Sequence, residues 1–127
     1  MGTTSPPAAA TGVNLGTNFT WTAFTGGISL AIFRPTGATP TYWIFTADAQ
    51  TTIPDLTAEG LGLPTGGGYL WFVYGFAPFA SIDAFAAGNN IPLQPALLLP
   101  LTSAKVPAGF PVYNMCYTNL GRAFTTQ

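Results

Sequence analysis

From Thr17 onward, short apolar runs are separated by glycine, proline and small polar residues. In Thr17–Phe24, Phe19 and Trp21 fall on one face and Thr20 and Thr22 on the other, the period of a strand with one wet side. Ile28–Arg34 predicts a second strand, with Ile28, Leu30 and Ile32 on one face. Pro35 ends it, because proline has no N–H for a sheet ladder. Thr41–Thr46 predicts a third strand, and Gln50–Ile53 a short fourth closed by Pro54. Tyr69–Phe76 carries the strongest signal. Tyr69, Trp71, Val73 and Gly75 line one face, and Leu70, Phe72, Tyr74 and Phe76 the other. A sheet wet on one side shows polar residues at alternate positions, so this strand is expected to be covered on both faces. Trp21, Ile32, Tyr69, Trp71 and Val73 are expected to form the core between two sheets.

The connections are also legible. Asp55–Leu63 reads as a corner with room for one helical turn, and Pro64–Gly68 as a tight glycine-rich link. Ser81–Ala87 suits a short helix, with Ser81 as N-cap and Gly88 as stop. Ile91–Pro100 holds three prolines among leucines and reads as extended and irregular. Tyr113–Tyr117 and Tyr117–Thr126 are candidate last strands. Fifteen glycines and twelve prolines leave no stretch with the length and periodicity of a long helix. Residues 1–12 read as an arm or linker, and 13–127 as a single domain. Within it, 77–117 forms a long insertion before the last strand.

Charge changes the picture more than length does. Of 127 residues only seven are charged: Arg34, Lys105, Arg122, Asp48, Asp55, Glu59 and Asp83. A soluble domain usually carries about a quarter. So few cations exclude a basic nucleic-acid groove, and 48% hydrophobic residues exclude disorder by low hydrophobicity. The longest apolar stretch, 69–80, contains Gly75 and Pro78 and falls short of the ~20 residues of a spanning helix. Residues 1–12 lack the basic start and apolar run of a signal peptide. With a composition of Thr, Gly, Pro, Ala and aromatics, the expectation is a mature or excised chain of an extracellular or cell-surface protein.

Candidate chemistry is sparse. Without histidine there is no Ser–His or Cys–His pair and no histidine metal site. Gly66–Gly68 precedes a strand and is not followed by Lys-Ser or Lys-Thr, so it reads as a corner and not a phosphate loop. Asp55 and Glu59 are near enough for a glycosidase pair, but Asp55 after Pro54 and Glu59 before Gly60 suit a surface turn better. Four scattered acids make a poor calcium cage. Cys116 has no cation within Tyr113–Tyr117 to lower its pKa. It reads as a small buried hydrophobe, the sharper alternative being a bridge to another chain or a free reactive thiol. Asn18-Phe19-Thr20 matches a glycosylation acceptor, a tripeptide common by chance. No catalytic residue, metal or cofactor is assigned.

About seven short strands predict an all-β antiparallel sandwich. The motif order resembles the fibronectin type III and immunoglobulin-like modules of bacterial secreted proteins. Phe19-Thr20-Trp21 is similar to the tryptophan-bearing second strand, and Thr51–Leu56 to the strand before the crossover. Leu63-Pro64-Thr65-Gly66 followed by Tyr69–Val73 resembles the Leu-Pro-x-Gly-x-Tyr corner and sixth strand, and Arg122–Thr126 the final strand. The corner holds one residue more than the usual spacing. The resemblance implies that the Tyr69 hydroxyl ties the Asp55–Gly68 crossover to the sheet. It says little about function.

Two functional expectations follow. The first is a non-catalytic assembly module that packs on protein, either copies of itself or neighbouring domains. A net charge of −1 gives little colloidal repulsion, and so aromatic a surface invites a cover. Its candidate surface is Leu70, Phe72, Tyr74 and Phe76, shielded by 77–117, whose Leu97, Leu98, Leu99, Phe110 and Val112 are available, together with a partner chain. The second is a carbohydrate-binding module that stacks sugars on Tyr42 or Trp43.

Overall fold

The computed structural model describes residues 2–87, the backbone of 114–117, and residues 121–127. The strands are β1 (Thr3–Ser5), β2 (Ala10–Val13), β3 (Phe19–Trp21), β4 (Ile28–Pro35), β5 (Tyr42–Thr46), β6 (Gln50–Thr51), β7 (Gly68–Ala77), β8 (Asn114–Tyr117) and β9 (Arg122–Thr126). Among the described residues one short helix, α1, spans Ile82–Ala87, and a single 3-10 turn Thr57–Glu59. The strands form a three-stranded sheet, β1-β3-β6, and a larger one, β2-β9-β7-β4-β5, in which β8 also pairs with β7. The architecture is all-β in two sheets, compatible with a β-sandwich.

Most predicted strands are present, with their faces as the period of two requires. In β3, Phe19 and Trp21 are buried and Thr20 is half-exposed. In β7, Tyr69, Trp71 and Val73 lie in the inner core. Rings dominate that core. Phe19 meets Phe33 and Trp71 edge-on at centroid distances of 4.6 and 5.1 Å. Tyr69 stacks on Phe124 at 5.4 Å. Such edge and offset contacts suit the aromatic quadrupole.

One residue expected in that core belongs elsewhere. Ile32 is buried, but in a second cluster with Ile28, Leu30, Phe76 and Phe85. Ala31 and Phe33 supply the inner face of β4. Both faces of β4 are apolar, so periodicity alone does not choose between them. The register with β7 does: Phe33 lies opposite Trp71, and Ile32 opposite Phe72. The polar residue on the inner side, Ser29, is buried where it accepts a hydrogen bond from Trp21 Nε1 at 3.1 Å.

The stretch expected as an arm joins both sheets. β1 pairs antiparallel with β3, and β2 runs parallel to β9. Arg122 holds the link between them, its Nη1 donating to the carbonyls of Thr4 at 3.1 Å and Pro6 at 2.9 Å. Short polar strands of this kind leave no hydrophobic period to read, because their stability comes from ladders to distant partners.

The Tyr69 hydroxyl does not tie down the crossover. It donates instead to the Pro40 carbonyl at 3.2 Å, in the β4–β5 turn. The crossover is held by Tyr42, whose hydroxyl donates to the Leu61 carbonyl at 2.9 Å. The glycine-rich corner has its own tie. Thr126 Oγ1 accepts from the Gly67 N–H at 2.7 Å and donates to the Pro64 carbonyl at 2.5 Å.

Candidate interaction surface

The outer face of the large sheet is built from rows of side chains on neighbouring strands. Register places Trp43 beside Ile32 and Ile32 beside Phe72. The next row joins Phe45, Leu30 and Tyr74, and the one beyond it pairs Ile28 with Phe76. At the opposite end Arg34 lies beside Leu70. Opposite neighbours in antiparallel strands lie within ~5.5 Å at Cβ, so each row is in contact. Between Ile28 and Ile32 and along Leu70–Phe76, no polar side chain but the tyrosine interrupts this face.

Cover over this field is graded. α1 lies across the Phe76 end, with Phe85 packed at 5.3 Å from both Phe45 and Phe76 and at 5.1 Å from Phe79. Ser81 positions the helix: its Oγ accepts from the Ala84 N–H at 3.1 Å, as an N-cap does. Phe76 is therefore buried, while Phe72 and Tyr74 are half-buried and meet edge-on at 5.7 Å. The far rim is open, with Trp43 41% and Leu70 39% exposed. The cover expected from 77–117 is thus realised by α1 at one end. Gly88, Leu97, Leu98, Leu99, Phe110, Val112 and the Cys116 side chain lie outside the described residues.

Of the six candidate surface residues, Leu70, Phe72, Tyr74, Phe76 and Trp43 share this face, and Tyr42 does not. Its ring lies in the inner core, stacked on Tyr69 at 6.2 Å. The alternation of β5 that sends Trp43 outward sends Tyr42 inward. Phe45, Ile28 and Leu30 belong to the outer field and were not expected in it. The signal for Ile28 and Leu30 is the face they share with Ile32 in β4, and for Phe45 the period of two from Trp43 in β5.

Among the described residues the charged side chains gather no site. Asp48, Asp55, Glu59 and Asp83 are all exposed. Asp55 Oδ1 accepts from the Thr57 N–H at 3.1 Å and from Thr57 Oγ1 at 2.6 Å, opening the 3-10 turn. These bonds hold its carboxyl below the usual range. Among the described residues no three acidic or sulfur side chains cluster as metal ligands would. No described helix is long and apolar enough to cross a membrane. A shallow cleft of about 350 Å³ lies at the other edge of the large sheet, lined by Val13, Leu15, Leu63, Pro64, Thr126 and their neighbours.

Compared with known protein families, curated proteins and solved structures, the chain has no match.

Proposed function

We propose that the chain is a non-catalytic assembly module of an extracellular or cell-surface protein, packing the outer face of its large sheet on another protein chain. The observation that carries this reading is the continuous apolar field from Ile28 and Phe76 to Trp43 and Leu70, open at its rim. Exposed apolar patches of this kind are rare on monomers without an interaction role. Arg34 is the one charged residue among the described positions of this face. An immunoglobulin or fibronectin type III module fits the strand order. In that reading β1, β3 and β6 would serve as its first, second and fifth strands, with β4, β5, β7 and β9 in the facing sheet. Such modules serve many functions, so the surface and not the fold supports the assembly reading.

The test is sedimentation velocity of the wild type and of Leu70→Glu across about 1 to 100 µM, the range of weak specific association. Leu70 is on the rim, so its variant keeps the wild-type circular dichroism. The wild type is expected to associate as concentration rises, and Leu70→Glu to shift toward smaller species. Superimposable distributions for the two proteins contradict the reading. Sugar stacking on Trp43 has less support, because Tyr42 is turned into the core and supplies no second open ring.

A further inference from the structure

The outer face of the large sheet has two unlike ends. At one, α1 stands on Phe45 and Phe76 through Phe85. At the other lies the row of Arg34 and Leu70, with Trp43 open beside it. Four large apolar side chains are exposed among the described residues. Three of them, Trp43, Leu70 and Ile82, lie on this face or on the helix above it.

The back of α1 suits a second sheet. A helix turns about 100° per residue, so Asp83, two before Phe85, points away from the sheet on which Phe85 rests. Ala84, Ala86 and Ala87 are exposed around it, small enough for a close approach. Ile82 adds an apolar contact on the flank. The back of the helix thus carries one acid, and the open end of the sheet one cation. Arg34 follows Leu30 and Ile32 on the same side of β4. Both charges are exposed, and neither forms an ion pair among the described residues.

Opposite charges, and a step and a bare end, make a face that complements itself. We infer that its occupant is a second copy of this chain, stacked face to face with strands antiparallel, α1 of each copy seated on the open Arg34–Leu70 end of the other. This rests on the assembly reading above and names its partner.

A two-fold axis running across the strands, over the row of Ile32 and Phe72, generates the arrangement. It keeps β4 over β4 and exchanges the ends. Arg34, two residues to one side of the axis, meets the second copy's Leu30 row, two residues to the other side, where Phe45 supports α1. Ile82 then packs on the second copy's Leu70 and Trp43, and Asp83 comes within reach of its Arg34. The contact is isologous, so the axis repeats each pair. Parallel stacking would set Arg34 beside Arg34 and helix on helix, which charge and bulk both oppose.

The test mixes two variants of the full chain at low salt, where exposed charges are least screened. In a dimer of Arg34→Asp alone, acid faces acid. In a dimer of Asp83→Arg alone, cation faces cation. Each variant should associate roughly twofold to thirtyfold more weakly than the wild type, the range for two exposed pairs lost. Mixed one to one, the two variants regain both pairs, and sedimentation velocity should recover wild-type association. The double variant, with both pairs exchanged in one chain, should match the wild type in association and in circular dichroism. Single variants as strong as the wild type overturn the antiparallel pairing, as does a mixture or double variant no stronger than the singles. Wild-type association that Leu70→Glu weakens then leaves the face reading standing. A wild type that is monomeric at every concentration overturns both.

Discussion

The rings of Tyr42 and Tyr69 stack at 6.2 Å with 30° between their planes, yet their hydroxyls secure different loops. Tyr42 donates to Leu61 in the crossover and Tyr69 to Pro40 in the β4–β5 turn. The pair couples the two connections through the core of the large sheet. Tyr42→Phe and Tyr69→Phe should each cost ~1 kcal/mol, the net value of one hydrogen bond. Denaturant titrations measure both. Tyr42→Phe should also speed amide exchange around Leu61, whereas Tyr69→Phe should act near Pro40. The reverse pattern contradicts the assignment.

Alkaline titration gives an independent check on Tyr42. Burial first, and then the neighbouring Tyr69, push its hydroxyl from the ordinary 10.0 up to about 12. The native state therefore keeps a proton that the unfolded chain releases. The stabilising contribution is complete below pH 10 and is lost as pH rises through about 12. Stability should fall across that window, and Tyr42→Phe should flatten the fall. An equal slope in the variant would count against a raised Tyr42.

Trp21 and Trp71 occupy the same core but differ in one bond. The Trp21 indole donates to Ser29, whereas Trp71 Nε1 is buried without a partner among the described residues. Truncating Trp21 to alanine should cost ~3–5 kcal/mol, as for other buried aromatics. The sharper comparison is with phenylalanine. Trp21→Phe strips Ser29 of its donor, while Trp71→Phe relieves an unpaired N–H. Calorimetry should find Trp21→Phe the more damaging of the two.

Gly75 is set by the approach of another ring. A Cβ at this position would lie 2.6 Å from Cγ of Phe24, which packs over the strand. Gly75→Ala should cost ~1–3 kcal/mol by overpacking. Replacing Phe24 by leucine in the same chain should recover part of that loss. A neutral Gly75→Ala would show that Phe24 moves aside freely.

The strands and their faces were legible wherever one face was distinct. Phe19 and Trp21 alternate with threonines, and β7 puts its largest rings on one side. Legibility ended in β4, where Ile28, Leu30 and Ile32 compete with Ala31 and Phe33 for the core. Pairing to β7 decides that contest, and pairing is non-local. β1 and β2 were hidden for the same reason, since threonine, alanine and glycine in short runs carry no hydrophobic period. In the candidate surface, Leu70–Phe76 stood out because four apolar residues share one face. Tyr42 was misplaced because it and Trp43 are both aromatic, and only the register separates inward from outward.

The central claim is that the outer field of the large sheet is an assembly surface. Phe72 stands in its middle row, so Phe72→Glu should disrupt assembly or folding, with circular dichroism separating the two. The most direct measurement is the solution mass of the wild-type chain by light scattering, from low micromolar concentration upward. A mass that climbs above the 13.2 kDa of one chain, and climbs less in Leu70→Glu, is the predicted result. A mass of 13.2 kDa at every concentration would contradict it.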